Sequence, residues 1–269
     1  MADAWETKQI LITVKTYPTP AWKGGEVVCT AGITAEGDWI RLFPIPFRFL
    51  QDNQKYKKYE WIEAKVTRSN DPRAESYRVD ADSIRVIGPL LGPKNNWASR
   101  KNVILPHLAP SMCWLRKERN TYTIYPTLGI IQPKEIKRFR IVPTDREWQP
   151  KELGRLLQTN FISGSIQQLE KVPFDFYYDF YCLEPGCKGH KMSCVDWEIF
   201  QSYRKWSKGK DKSEWEVLFR QKYEHEMITK NDTLLYVGTV HGHPNSWVII
   251  GLFYPGKVAS SVAQTRLFD

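Results

Sequence analysis

From Lys171 to Cys182 the chain reads KVPFDFYYDFYC, with Phe174, Phe176, Tyr178, Phe180 and Cys182 alternating against Asp175, Tyr177, Asp179 and Tyr181. A period of two over that length predicts a strand over 174–182 with one buried face. Shorter apolar, β-branched runs recur near the start: Gln9–Thr16, Glu26–Ile33, Asp38–Phe43, Tyr59–Arg68 and Ser83–Ile87. Thr34-Ala-Glu-Gly37 between the second and third is a glycine-bearing hairpin loop. Short strands at this spacing, punctuated by Pro and Gly, predict a small barrel or sandwich.

The middle of the chain, from Gly88 to Arg140, mixes Trp, Pro and basic residues, with strand-like stretches at Thr121–Tyr125 and Phe139–Val142. A second small barrel is the expectation there. Trp148, Leu153, Leu156 and Leu157 then form a helical stripe over Thr144–Gln158, with Gly154 as its weak point. Beyond Cys182, Ser193-x-x-Asp196 has the form of a capping box and opens a helix over Val195–Trp206. After a basic loop, Ser207–Lys212, a second box at Ser213-x-x-Glu216 opens a helix with Trp215, Leu218, Phe219, Tyr223 and Met227 on its apolar face. Leu234–Val240 and Trp247–Tyr254 close the chain as a hairpin around His241–Ser246. The pattern predicts a mainly β, α+β protein. One or two OB-like small barrels (1–90, with a second β/helical region at 91–170) precede an α+β domain over 171–269.

Chemistry concentrates in Cys182-Leu-Glu-Pro-Gly-Cys187-Lys-Gly-His190-Lys-Met-Ser-Cys194. Cys3His is a standard zinc set, and four protein ligands leave no open position, so Cys182, Cys187, His190 and Cys194 form a candidate structural zinc site. The ligand order resembles a retroviral-type zinc knuckle, with different loop lengths. The plainer alternative stays open: buried thiols and a turn histidine.

Composition adds a net charge of +9 and an aromatic content of 13%, including 11 Trp. A basic, aromatic-rich surface suits nucleic acid, with cations on phosphates and rings against bases. Most of the rings are nonetheless expected in the core. Arg41, Arg48, Lys55, Lys57, Lys58, Arg73, Tyr77 and Arg78 are the candidate contacts. Arg41 and Arg48 flank the proline-held stretch RLFPIPFR, and the others lie in loop-like runs of aromatics and cations. For each residue alone, a merely solvated cation is the simpler account.

No apolar run reaches about 18 residues, so no membrane partner is indicated. The N-terminus lacks a signal-peptide pattern, so a cytoplasmic setting is the expectation, and in a reducing compartment five unevenly spaced cysteines argue against a disulfide framework.

Cys29-Thr-Ala-Gly-Ile33 followed by Gly37-Asp-Trp-Ile-Arg-Leu42 resembles the opening hairpin of bacterial dual OB domain proteins. Lys15–Pro20, Arg41–Arg48 and Asp196–Ile199 resemble runs in a largely uncharacterised bacterial family. The first resemblance implies a nucleic-acid- or nucleotide-binding barrel in a phage-conflict setting; action within a larger protein or ribonucleoprotein assembly is a further expectation. The expectation is therefore a non-catalytic protein that binds DNA or RNA, with no catalytic residue assigned. A metal-dependent nuclease drawing on Asp196, Glu198, His190, His241 and His243 is the alternative, although no P-loop, nucleophile-elbow, zincin or dinucleotide motif is present. A protein–protein adaptor is the third.

Overall fold

In a computed structural model of the chain, residues 4–21, 25–121, 125–163 and 168–257 are described. The strands are β1 (Glu6–Lys15), β2 (Thr19–Pro20), β3 (Glu26–Thr34), β4 (Trp39–Ile45), β5 (Trp61–Arg68), β6 (Ser76–Val79) and β7 (Arg85–Val86) in the first part. The second part holds β8 (Leu108–Ala109), β9 (Leu128–Ile131), β10 (Pro133–Pro143), β11 (Phe174–Cys182), β12 (His190–Ser193), β13 (Leu234–Val240) and β14 (His243–Phe253). The helices are α1 (Lys94–Ile104), α2 (Met112–Thr121), α3 (Pro150–Ser163), α4 (Trp197–Trp206) and α5 (Lys212–Arg220), the last running on into a wide π-type helix over Gln221–Lys230.

β1 pairs with β3, β3 with β4, β4 in parallel with β6, β6 with β5, and β5 back with β1. That closed five-stranded circuit has one parallel pairing between the third and fifth of its strands, which is OB-like topology. Ile10, Ile12, Val28, Ile40, Leu42, Ile62 and Val66 fill its interior, and Phe47, Leu50 and Tyr56 plug one end. The predicted hairpin stands as β3–β4, with Gly37 at φ +93° in the turn, a left-handed position that favours glycine. At Gly32 a Cβ would lie 2.3 Å from the Leu11 carbonyl oxygen, so β1 and β3 approach this closely only over a glycine. Gly32→Ala is expected to cost about 1–3 kcal/mol by overpacking, read as a lowered denaturant midpoint.

The middle segment does not form a second barrel. β8 and β9 join β13 and β14 in a four-stranded sheet, whereas β10 joins β11 and β12 in a three-stranded one. The physical reason is the run Leu128–Ile131, buried on both faces: it needs partners on either side and finds them in β13 and β8. Most of the strand expected at Thr121–Tyr125 lies outside the described residues, and Thr121 itself ends α2. β11 has the predicted bounds and faces. Phe176, Tyr178, Phe180 and Cys182 are buried, and Phe176 is centred 5.2 Å from Phe200 of α4 and 5.0 Å from Phe219 of α5.

The barrel and the second part share a core in which Val14, Ala31, Ile33 and Tyr59 meet Leu128, Ile130, Tyr236 and Phe253. Three buried cations stitch the same seam. Arg41 donates to Thr127 Oγ1 and to the Thr127 carbonyl, both at 3.0 Å. Arg73 donates to the Thr239 carbonyl at 2.8 Å. Lys58 Nζ lies 3.1 Å from Asp196 Oδ2 and 3.7 Å from Glu198 Oε2.

Candidate metal centre and basic groove

The loop that joins β11 to β12 is held by its glycines: Gly186 (φ +77°) and Gly189 (φ +92°) are both left-handed. The turn brings Cys187 Sγ within 3.3 Å of His190 Nε2, and the Gly189 N–H donates to Cys187 Sγ. Cys182, ending β11, places its Sγ 3.5 Å from the Sγ of Cys113, which in turn lies 3.5 Å from His190 Nε2. All four ligand atoms lie within 4.8 Å of one another. Around a tetrahedral zinc, thiolate sulfurs stand about 3.8 Å apart. The cluster is thus close to a closed coordination shell, and it can hold a metal ion.

The third sulfur corrects the sequence expectation: it belongs to Cys113, not Cys194. β12 is extended and pairs with β11 from Phe180↔His190 to Tyr177↔Ser193. Four residues of strand carry Cys194 about 13 Å from His190. It is buried in the core, where its N–H bonds the Phe176 carbonyl and its thiol is pushed well above the ordinary value by burial and by nearby Asp196. Cys113 enters from the first turn of α2. Ser111 fixes that turn: its Oγ accepts from the Trp114 N–H at 2.8 Å and donates to Glu184 Oε2 at 3.1 Å, tying helix to loop.

The electrostatics suit a cation at the centre. Burial, with the charge of Arg116 nearby, pushes the His190 imidazole down to about 4, so it is neutral and offers a lone pair. Burial and the neighbouring sulfurs push Cys113 up to about 12. Cys182 lies below the ordinary thiol value despite its burial, because the N–H groups of Cys113 and Glu184 favour its thiolate. A divalent ion removes the repulsion that keeps such thiols protonated.

Beside this cluster a groove of about 670 Å³ opens along the outer face of β10–β12, lined by Arg116, Lys137, Arg138, Lys188 and Lys191 among others. A register shift between Ile136 and Arg138 turns Lys137 and Arg138 outward together. Tyr181 lies under Lys137, and Tyr177 under Arg140 at 4.8 Å. Asp179 binds Arg138 at 2.7 Å and Arg140 at 2.8 Å. Those two guanidinium groups outweigh its burial and hold it below the usual carboxylate range. Among the described residues lining the groove, Asp179 is the one carboxylate, against five cations.

The eight barrel residues singled out from sequence do not share one surface. Arg41, Arg73 and Lys58 are the buried seam cations described above. Arg48 pairs with Glu26 at 2.7 Å and Lys55 with Asp52 at 2.9 Å. Tyr77 lies beneath Arg68 at 5.0 Å, Arg78 is exposed, and Lys57 is exposed at the mouth of a separate cavity along the seam. Asp196 is the N-cap of α4 rather than the partner of a Ser193 cap. Its Oδ1 accepts from the Glu198 N–H and its Oδ2 from the Leu252 N–H and Lys58. With both oxygens committed in the core, it is not placed for nuclease chemistry. The cap of α5 is Asp211, with Glu214 completing the box two residues before the predicted one. The groove cations were hard to single out because Lys137 to Arg140 and Lys188 to Lys191 lie some fifty residues apart. The period-two face of Tyr177, Asp179 and Tyr181 was the available signal.

An OB-like barrel fused to an α+β unit with a Cys3His cluster defines the class of protein. The chain belongs to the family defined by the domain of unknown function DUF8757, which matches residues 108–269; a further domain of unknown function, DUF8758, matches residues 6–106. No curated protein matches the chain. A solved murine DNA-binding protein, bound with double-stranded DNA, aligns over 93% of this chain and 95% of its own at 9% identity and a TM-score of 0.31. At that score the alignment identifies neither a common fold nor a common ligand.

Proposed function

We propose that the chain is a nucleic-acid-binding protein that holds a single strand in the β10–β12 groove, with a structural zinc on Cys113, Cys182, Cys187 and His190 fixing one wall. The observation that carries this reading is the outward row of Lys137, Arg138, Lys188 and Lys191, joined by Arg116, with the half-buried ring of Tyr181 in the same groove and that of Tyr177 farther along the strand. Cations on such a face take phosphates, and rings between them stack on bases that a duplex keeps paired. Zinc fits the donor set of three thiols and one imidazole with no open position, which makes it a scaffold and not a reaction centre. The OB-like barrel and the resemblance of its β3–β4 hairpin to dual OB domain proteins agree with a nucleic-acid partner.

Titration of labelled single-stranded and duplex DNA and RNA by fluorescence anisotropy tests it. With each of the groove cations on a phosphate, log K should fall against log[salt] with a slope of about −3.5 for a single strand. Absent or salt-independent binding removes the proposal, and tighter binding to duplexes removes the stacking part. An adaptor for an acidic protein would show little affinity for free polynucleotide.

A further inference from the structure

We propose that the cavity along the seam between the barrel and the second part binds a nucleoside monophosphate, with its base against Trp97, Trp197 and Tyr254 and its phosphate on Lys15, Lys57 and Arg100. The cavity measures about 460 Å³ and is lined by all six of these residues. That size and a lining of aromatic walls with a few convergent polar groups are those of small-molecule sites. It is remote in sequence and in lining from the β10–β12 groove, so the proposal goes beyond the groove reading and stands without it.

Lys15 carries the argument. It is 9% exposed, yet among the described residues its Nζ makes only a 3.5 Å hydrogen bond, to the Tyr56 carbonyl. Among the described residues no carboxylate pairs with it. The ammonium instead lies 3.8 Å from the centre of the Phe47 ring and 4.6 Å from that of Trp197. The charged groups facing it are Lys58, Glu198, Asp196 and Glu60. Asp196 is committed to Lys58 and to two backbone N–H groups, and Glu198 takes the Tyr254 hydroxyl. Burial first, and then the Lys58 charge, push Lys15 down to about 8. A buried ammonium without an anion is costly, and an arriving phosphate supplies the missing partner.

Arg100 repeats the pattern. Its guanidinium lies 4.1 Å from the Tyr59 ring centre and 4.5 Å from that of Trp97, and its one hydrogen bond among the described residues runs from Nε to the Leu91 carbonyl. Its terminal nitrogens remain for a ligand, in the planar fork that suits phosphate. Glu198, also on the wall, is an acceptor for a ribose hydroxyl or a base amino group. The backbone is strained at the same place. The non-glycine residues with positive φ among those described are Tyr59, Asn95, Asn96 and Trp97; two of them line the cavity and the others lead into it. Such conformations persist where the surrounding structure holds a side chain to a task.

The nucleotide has two sources, a free mononucleotide or one residue of a strand. Tryptophan fluorescence and calorimetry with AMP, GMP, CMP, UMP, the matching nucleosides, inorganic phosphate and a 5′-phosphorylated oligonucleotide separate them. At least one nucleotide form is expected to bind, and Lys15→Met to weaken it about tenfold or more. The surface control Lys210→Met should bind as the parent does, as should the groove variant K137A/K188A/K191A when probed with mononucleotide. Lys15→Met removes a buried unpaired charge, so it is expected to fold with an unchanged or higher Tm. Binding should also take up a proton above pH about 8, where Lys15 begins to lose its own, seen as buffer-dependent heat. Preference for the mononucleotide assigns the free ligand, and binding of the oligonucleotide alone, weakened by Lys15→Met, assigns a strand. The proposal is overturned if neither form binds, if Lys15→Met changes nothing, or if phosphate alone binds as tightly as the nucleotides.

Discussion

Cys113→Ser is expected to strip the protein of its metal and to loosen the second part of the chain, while Cys194→Ser keeps a full equivalent. The contrast follows from geometry. Cys113 closes the ligand set with Cys182, Cys187 and His190, whereas Cys194 is buried in the core and lies outside that set. Structural zinc contributes about 10–16 kcal/mol in small zinc-dependent peptides. Loss of one ligand in four should remove several of these, enough to lower Tm by about 10 °C or more in a chain of this size. Elemental analysis of the purified variants, with thermal melts beside it, reads both effects. Equal metal in Cys113→Ser and its parent would sink the assignment, as would loss of metal from Cys194→Ser.

The second large effect is at the seam. Lys58→Met leaves Asp196, 0% exposed, without its cation. Breaking a buried pair from one side costs about 3–5 kcal/mol. The companion K58M/D196N should recover much of this, because asparagine still caps α4 and the buried carboxylate is gone, which leaves only the partly exposed Glu198 without Lys58. Chemical denaturation of the two variants and the parent measures it; equal losses in single and double variants would contradict the pairing. The pH dependence has a definite sign. Burial lowers the Lys58 value, but Asp196 and Glu198 override it and hold Lys58 above the ordinary 10.5. Its contribution is therefore complete below pH 10.5 and is lost only as pH rises through the higher folded value.

Much of this architecture was legible in the chain. β11 was readable to the residue because both of its faces are set by alternation, and the β3–β4 hairpin because glycine marks its turn. The start of α4 was readable to within two residues, Val195 against Trp197, and its cap to within three: the run Ser-x-x-Asp carries two capping side chains, and the buried cation at Lys58 selects Asp196 over Ser193. The metal cluster was legible in three of its four ligands. The fourth was misplaced because nearness in sequence stood in for nearness in space. His190-x-Met192-x-Cys194 itself alternates, and read as a strand it would have put Cys194 too far away. Cys113 carried no such signal, lying 69 residues before Cys182 at the start of a helix. The barrel cations misled for a related reason. Basic residues in strand and loop runs look solvated, but Arg41, Arg73 and Lys58 face a second unit whose carbonyl and carboxylate groups only the folded chain brings to them.

The groove is the centre of the functional account, and its salt dependence tests it most directly. Single-strand affinity of the parent and of K137A/K188A/K191A should be measured from low to physiological salt. The account predicts weaker binding by the variant and a slope shallower by about 2, because each lysine replaced leaves one phosphate without its cation. The same slope and affinity in both proteins would contradict it.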